Sequence, residues 1–262
     1  AAVEAGNRTA AVAETQAGKS AMSDPHPLNL GAIGVTGTAA ANAIAETADV
    51  VLCIGTRLQD FTTGSWALFK HPGRALIGLN VQPFDAAKRT AAPLVADVLT
   101  GLAGLTAALG DWRAPVAHGT RVADLKRDWD AKAATWVAPA DQALPSDAQV
   151  IGAVQRRAQP RDVLVCAAGG LPGELHKHWH AGAPGGYHLE YGFSTMGYEI
   201  AGGLGVKMAD PSRHVTVMVG DGSYLMMNSE IATSVMLGQK LTIVVLDNRG
   251  FGCINRLQRA TG

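Results

Sequence analysis

The sequence predicts an α/β protein with two parallel-sheet domains, and two observations lead to this fold class. Short runs rich in β-branched residues alternate with Ala-, Leu- and Gly-rich stretches of helical periodicity, which is typical of parallel sheets with crossover helices. A segment rich in charged residues, prolines and small residues separates two such blocks. We therefore expect one domain at residues 1–110, a linker with one helical stretch at 111–146, and a second domain at 147–262.

The elements follow in order from these patterns. In the first block, the β-branched runs predict strands at 48–56 and 74–80, and the Ala- and Leu-rich stretches predict helices at 37–48 and 99–110. The second helix ends at Gly110, a residue favoured just after a helix. In the second block we expect three strands, at 162–167, 214–219 and 241–248, and three helices, at 147–158, 197–209 and 228–238.

Composition excludes several classes of function. Of 262 residues, 47% are hydrophobic, and 22 basic side chains balance 22 acidic ones, so no positive field favours nucleic acid or a membrane surface. No apolar run has the length of about 20 residues that spans a bilayer, and the Ala-rich beginning of the sequence does not resemble a signal peptide. The three separated cysteines, Cys53, Cys166 and Cys253, indicate buried thiols in a reducing compartment. We expect a cytoplasmic protein.

One acidic residue stands out at the end of a predicted strand. Asp221 lies between Gly220 and Gly222, on a turn where glycines let the backbone adopt unusual angles and approach a ligand. Asn248 ends the next strand, and the carboxyl ends of parallel strands lie side by side, where open α/β sheets bind ligands. A carboxylate, an amide oxygen and backbone carbonyls suit Mg²⁺ with phosphate oxygens, and a nearby helix N-terminus favours anions. The sequence therefore predicts a magnesium-bound diphosphate.

The G-D-G sequence with an Asn 27 residues after its Asp resembles the cofactor motif of the thiamine-diphosphate-dependent decarboxylase and carboligase superfamily. The resemblance implies two cofactors, thiamine diphosphate and Mg²⁺. It implies that Asp221, the Asn248 side chain and the Gly250 carbonyl bind Mg²⁺. It also implies that Gly222 and Ser223 contact the diphosphate through a backbone N–H and a hydroxyl.

Two further stretches extend the resemblance. "STMGYEIAGGLG" is similar to the segment in which a bulky residue, here Met196, supports the bent cofactor, and Gly197 would meet its aminopyrimidine. "CAAGG" is similar to the turn on the other side of the diphosphate, with Gly170 as the matching glycine. Leu171 and Pro172 replace the Gln-His that usually follows in this superfamily.

The first block resembles the Rossmann-like central domain of the same superfamily, which is structural in some members and binds FAD or another nucleotide in others. We favour a structural role and leave the nucleotide open. The pyrimidine-binding domain, which supplies the activating glutamate, is not recognisable. We therefore expect a fragment of a longer polypeptide, inactive by itself, whose complete form is a homodimer or homotetramer.

Three stretches together resemble one branch, the trihydroxycyclohexanedione hydrolases of myo-inositol catabolism: "MGYEIAGGLGVKMAD", "GDGSYLMMNSEIATSVMLG" and "DNRGFGCINRLQ". This implies a small cyclic 1,2-dione substrate that is opened by C–C hydrolysis to 5-deoxyglucuronic acid. Two alternatives remain open, an acetolactate-synthase-like carboligase acting on pyruvate and a non-catalytic nucleotide-binding protein.

The catalytic residues are not identified by any motif. His176, His178 and His188 are candidate substrate-facing acids or bases, because histidine titrates near neutral pH. Solvated surface histidines are the equal alternative for each. His176 and His180 could share a helix face as zinc ligands, but no third ligand follows at a recognisable spacing, and we do not expect zinc.

Overall fold

The computed structural model describes residues 10–141 and 143–262, and these divide into two compact units. The first unit contains the described residues up to Gly18 together with His26–Lys132. The second contains Lys19–Pro25 and Ala133–Gly262. The predicted domain bounds, 1–110 and 147–262, stay predictions. Within the predicted linker, residues Val116–Val137 form one long helix.

The first unit is built on short parallel strands. Its described strands are β1 (Val12–Glu14), β2 (Asn29–Ala32), β3 (Val50–Ile54), β4 (Ala75–Asn80) and β5 (Ala92–Val95). Its described helices are α1 (Ala39–Thr47), α2 (Asp60–Thr63), α3 (Pro83–Ala86) and α4 (Val98–Leu109), with a 3₁₀ turn at Lys88–Thr90. Helix α5 (Val116–Val137) belongs to this unit up to Lys132. Strand β1 pairs with β2, and a second parallel sheet has the order β3-β4-β5.

Local chemistry explains these elements. The Thr38 side chain caps α1 by accepting a hydrogen bond from the N–H of Ala41, and Asp97 caps α4 in the same way. Gly78 allows α3 to lie against β4, because a Cβ at this position would stand 2.1 Å from the carbonyl oxygen of Ala86. A substitution of Gly78 would therefore push this helix away from the sheet.

The second unit is a four-stranded parallel sheet with the order β7-β6-β8-β9. The strands are β6 (Val163–Cys166), β7 (Tyr187–Leu189), β8 (Val215–Gly220) and β9 (Thr242–Leu246). The helices are α6 (Asp147–Gln155), α7 (Leu171–His178), α8 (Tyr198–Ala209), α9 (Asp221–Met226), α10 (Glu230–Met236) and α11 (Gly252–Thr261). The order places β6 and β8 in the middle of the sheet.

The two faces of this sheet contribute to separate apolar clusters. Leu164 and Met218 belong to the cluster that also contains residues of α6 and α7. Val163 and Val217 belong to the other cluster, which includes Ile200 of α8. Because successive side chains of a strand point to opposite faces, a sheet covered by helices on both faces needs apolar residues throughout its central strands. All residues of β6 are buried accordingly.

The predicted fold class, two parallel-sheet α/β domains, is confirmed. Each predicted strand and helix overlaps an observed one. The sequence did not predict the short strands β1, β2, β5 and β7, nor the helices α2, α3, α7, α9 and α11. Within the described part of the chain, no helix combines the length and the apolar character that a membrane crossing requires.

Candidate functional site

The structure brings Asp221 and Asn248 together at one edge of the second sheet. Strands β8 and β9 run parallel with Gly220 opposite Leu246, so both strands end at the same level. Asp221 follows β8 directly, and Asn248 follows β9 by two residues. The Asp221 carboxylate accepts a hydrogen bond from the N–H of Gly250 at 2.6 Å and one from the N–H of Asn248 at 3.4 Å. The beginning of the helix after β8 and the loop after β9 therefore meet at this carboxylate.

The prediction that glycines give the backbone unusual angles around Asp221 is wrong. Gly220 has φ −74° and ψ 154°, which any residue adopts, and Asp221 is the first residue of helix α9. Gly222 is needed for space and not for an unusual φ angle. A Cβ there would lie 2.9 Å from a ring carbon of Phe251 and 3.3 Å from the Gly250 carbonyl oxygen. The missing side chain therefore allows the loop after β9 to approach α9.

The oxygen atoms at this edge fit a magnesium ion. Burial acts to raise the pKa of Asp221, but hydrogen bonds from the N–H groups of Gly250, Asn248 and Gly222 outweigh it and lower the pKa. The ionised carboxylate offers about four acceptor positions, of which these loop contacts leave some for a cation. The Asn248 side-chain oxygen accepts a long bond of 3.3 Å from the N–H of Gly252. Carboxylate and amide oxygens are the ligand types that Mg²⁺ prefers.

Two other predicted residues, Gly197 and Ser223, contact each other directly. The Gly197 N–H donates to the Ser223 hydroxyl oxygen at 2.7 Å, although 26 residues separate them. Gly197 precedes α8 in the left-handed conformation with φ 91°, and a Cβ there would lie 2.9 Å from the Met227 Cβ. Ser223 is buried in helix α9, and Met196 is half-buried beside Gly197. The beginnings of α8 and α9 therefore lie against each other.

Sequence reasoning missed the acid that joins these two residues. Glu199 is 1% exposed, and its carboxylate accepts from the Ser223 hydroxyl at 2.8 Å and from the Gly197 N–H at 3.0 Å. Burial raises the pKa of Glu199, and the hydrogen-bond donors oppose that rise. The one signal in the sequence is an acid inside an otherwise apolar and glycine-rich helix.

Gly170 lies at the beginning of α7, at the carboxyl end of β6. A Cβ at Gly170 would lie 2.6 Å from a terminal nitrogen of the Arg256 guanidinium, which belongs to α11. The glycine therefore admits a cation beside the turn that the resemblance assigns to the diphosphate. Arg256 is a second residue that sequence reasoning missed.

The three candidate histidines have different surroundings. His176 and His178, both in α7, are buried, so the surface alternative is wrong for them. His178 lies 3.6 Å from the Glu174 carboxylate. His188, in the middle of β7, is half-buried, and its Nε2 is 2.5 Å from the Tyr198 hydroxyl. Burial lowers the pKa of His188, which favours its neutral form.

His180, which was considered as a zinc ligand, contacts an acidic side chain. Its Nδ1 lies 2.5 Å from the carboxylate of Asp24. Among the residues that the structure describes, no group of three or more His, Cys, Asp or Glu side chains is arranged to hold a metal. Of the three cysteines, Cys53 and Cys166 are buried as expected, while Cys253 is half-buried.

Two protein-family models match the chain. Residues 5–105 match the thiamine pyrophosphate enzyme central domain, and residues 167–262 match the thiamine pyrophosphate enzyme C-terminal TPP binding domain. Thiamine pyrophosphate is another name for thiamine diphosphate. The second match, residues 167–262, contains the edge of the sheet where Asp221 and Asn248 meet. Helix α5 lies between these two matched ranges.

Several curated relatives are similar over most of the chain and share one name, 3D-(3,5/4)-trihydroxycyclohexane-1,2-dione hydrolase. The protein of Geobacillus thermodenitrificans strain NG80-2 is 43% identical over 273 residues, and that of Bacillus cereus strain AH820 is 40% identical over 274 residues. The protein of Bacillus thuringiensis strain Al Hakam is 41% identical over 276 residues. Each comparison covers 95% of this chain and 42% of the relative.

These matches agree with the geometry of the second unit. The loops after β8 and β9 present a carboxylate and an amide within the cofactor-binding domain, and the cofactor of this family is thiamine diphosphate, with Mg²⁺ as the usual partner metal. The chain belongs to the thiamine pyrophosphate enzymes, of which it contains the central domain and the C-terminal cofactor-binding domain.

Proposed function

We propose that this protein is a thiamine-diphosphate- and Mg²⁺-dependent hydrolase that opens trihydroxycyclohexane-1,2-dione to 5-deoxyglucuronate. The observation that carries the proposal is the junction of Asp221 with the loop after β9, through the 2.6 Å bond from the Gly250 N–H. This junction lies in a chain that is 40–43% identical to relatives named for the dione hydrolase activity. Because the chain spans 42% of their length, the proposal concerns the whole protein.

We assign the Mg²⁺ ligands to Asp221, the side chain of Asn248 and the carbonyl of Gly250. The first two bring the oxygen types that Mg²⁺ prefers to one edge of the sheet, and Gly250 lies within hydrogen-bond reach of Asp221. The chain bends at Arg249 and Gly250, and Gly250 has the left-handed φ of 122°. Removing the Asp221 carboxylate would take away the negative charge of this ligand set.

The diphosphate contacts are assigned to Gly222, Ser223 and Gly170. Gly222 and Ser223 lie in the first turn of α9, immediately after the proposed metal ligand, and Gly170 lies at the end of the neighbouring strand β6. Arg256, beside Gly170, contributes a positive charge that would favour a diphosphate over a neutral ligand. Backbone N–H groups and a guanidinium are the donors that phosphate oxygens need.

The remainder of the cofactor is assigned to Met196 and Gly197. When bound, thiamine diphosphate supplies the nucleophilic carbon and the electron sink for C–C cleavage. This chain supplies the support, since Met196 is half-buried directly before α8 and Gly197 is held by the hydroxyl of Ser223. We expect a glutamate of a pyrimidine-binding domain and a second subunit to complete the site, which makes a homodimer or homotetramer the expected assembly.

Of the three candidate histidines, we propose His188 as the group that exchanges a proton with the substrate. It is the middle residue of β7, and its ring stacks against Tyr198, the residue after Gly197. The lowered pKa favours the neutral imidazole of His188, the form that can accept a proton. His176 and His178 lie in the buried part of α7, where packing and the contact with Glu174 account for them.

The test compares two substrates with the purified whole protein, thiamine diphosphate and Mg²⁺. The proposal predicts loss of the cyclic dione, uptake of one water per molecule and appearance of an acid, with no reaction on pyruvate. Consumption of pyruvate with release of CO₂, and no loss of the dione, would show an acetolactate-synthase-like carboligase instead. Absence of both reactions together with cofactor binding that survives Asp221→Ala would support a non-catalytic nucleotide-binding protein.

A further inference from the structure

Glu199 is a buried acid to which the proposed function gives no task. It is the second residue of α8, and its side chain is 1% exposed. Burying a carboxylate costs free energy unless hydrogen bonds replace its hydration. The groups that donate those bonds therefore indicate what the acid does in the folded protein.

The donors to Glu199 come from three separate segments of the second unit. The Gly197 N–H donates at 3.0 Å from the residue that precedes α8, and the Ser223 hydroxyl donates at 2.8 Å from α9. The backbone N–H of Ala168 donates from the loop after β6. These are the three segments that the proposed function places around the cofactor, since Ala168 lies two residues before Gly170.

A carboxylate suits this position because it accepts hydrogen bonds and donates none. These donors, together with the N–H of Glu199 itself, satisfy the carboxylate, and the Ser223 hydroxyl also accepts the Gly197 N–H at 2.7 Å. An amide at residue 199 would turn an NH₂ group towards some of these donors. The conservative change from Glu to Gln therefore removes acceptors without changing the volume of the side chain.

We propose that Glu199 is a positioning residue that fixes the loop after β6, the beginning of α8 and the beginning of α9 in the arrangement that receives thiamine diphosphate. The role deepens the proposed function and depends on its cofactor site. Glu199 acts through Gly197 and Ser223, which are the groups assigned to the cofactor. A site that is already ordered before the ligand arrives avoids the cost of ordering it on binding.

The experiment measures the dissociation constant of thiamine diphosphate by calorimetry, with Mg²⁺ in excess, and the unfolding temperature without cofactor. We expect Glu199→Gln to weaken binding by about tenfold to a hundredfold, the size of one or two hydrogen bonds to a charged group. Ser223→Ala should also weaken binding, and the double variant should lose less affinity than the sum of the two single losses, because both changes break the link between Ser223 and Glu199. Glu46→Gln, at an exposed carboxylate in the first unit, is the matched control.

A purely structural role predicts a different result. Glu199→Gln would then lower the unfolding temperature and bind the cofactor as tightly as Glu46→Gln, which would overturn the proposal. If Glu199→Gln does not fold, Ser223→Ala decides, and an unchanged dissociation constant there overturns the proposal as well. Absence of binding by the wild-type protein would overturn the cofactor site itself, whereas wild-type binding with an unaffected Glu199→Gln overturns the positioning role alone.

Discussion

The N–H of Gly250 donates to the carboxylate of Asp221 at 2.6 Å and so joins the loops that follow two neighbouring parallel strands. This bond holds the proposed metal ligand at the edge of the sheet where ligands of open α/β folds bind. It also accounts for Gly222, whose missing side chain leaves room for Phe251 and for the loop to reach Asp221. The arrangement of the helix after β8 and the loop after β9 therefore depends on the Gly250 N–H bond to Asp221 and on the space at Gly222.

Helix α8 offers a matched pair of glycines for a test of packing. A Cβ at Gly203 would lie 2.4 Å from a methyl carbon of Val217, whereas a Cβ at Gly205 would meet nothing within 4 Å. We expect Gly203→Ala to lower the free energy of unfolding by about 1–3 kcal/mol through overpacking. Gly205→Ala should raise it by about 0.5–1 kcal/mol, because alanine favours helix more than glycine does. Urea unfolding of both variants measures the difference, and equal effects would contradict the packing of α8 on β8.

Glu174 provides a prediction for the pH dependence of stability. The nearby His178 imidazole and the Lys177 ammonium, against the opposing effect of burial, lower the pKa of Glu174 from 4.5 to about 2. A carboxyl group whose pKa is lower in the folded state stabilises the protein above its unfolded pKa, and this contribution disappears as pH falls towards the folded pKa. The contribution of Glu174 is therefore complete above pH 4.5 and fades between pH 4.5 and about 2.

We expect Glu174→Gln to lower the free energy of unfolding at neutral pH by up to about 1 kcal/mol, a small value because the side chain is 35% exposed and screened by water. The difference from the wild-type protein should shrink as the pH is lowered below 4.5. Urea unfolding at neutral and acidic pH checks this, with Glu46→Gln as an exposed control. A difference that grows in acid would contradict the contacts of Glu174 with Lys177 and His178.

His188 gives a prediction that separates chemistry from cofactor binding. If it exchanges a proton with the substrate, His188→Gln should lower kcat for the dione by about a hundredfold or more, the lower range for general acid–base catalysis. The dissociation constant of thiamine diphosphate should stay unchanged, because His188 is not among the residues assigned to the cofactor. His71→Gln serves as the control, because His71 belongs to the first unit and not to the unit that contains the proposed site. A wild-type kcat in His188→Gln would rule out the proposed role.

The sequence predicted the parallel sheets because their central strands are long enough to show an apolar pattern. Strands β1 and β7 have three residues each and fall below the length at which alternation is visible. Helix α7 was missed because its first residues, Leu171, Pro172 and Gly173, are typical of a loop. Proline is nevertheless tolerated in the first turn of a helix, where its missing N–H has no partner to lose.

The sequence allowed us to predict only the part of the candidate site that follows from the order of the strands. The proximity of Asp221 and Asn248 follows from two adjacent parallel strands that end at the same level. The link between Glu199 and Ser223 joins two helices and depends on side-chain packing, which no local pattern reveals. The surface alternative for the histidines of α7 was wrong for the same reason, because the packing of α7 buries both His176 and His178.

The measurement that tests the central claim most directly is the Mg²⁺-dependent binding of thiamine diphosphate to the wild-type protein, to Asp221→Asn and to Asp247→Asn. Asp221→Asn keeps the size of the side chain and removes the charge of the proposed metal ligand. Asp247 lies in the loop after β9, where its carboxylate accepts the Arg249 N–H at 2.8 Å, a bond that asparagine can preserve.

We expect Asp221→Asn to weaken binding more than about a hundredfold, since even residues behind the metal ligands change metal affinity by about 10–100-fold. Asp247→Asn should bind as the wild type does, and removal of Mg²⁺ should weaken binding by the wild type and by Asp247→Asn alike. Equal affinity of Asp221→Asn and the wild type in the presence of Mg²⁺ would contradict the assignment of this edge of the sheet to the magnesium diphosphate.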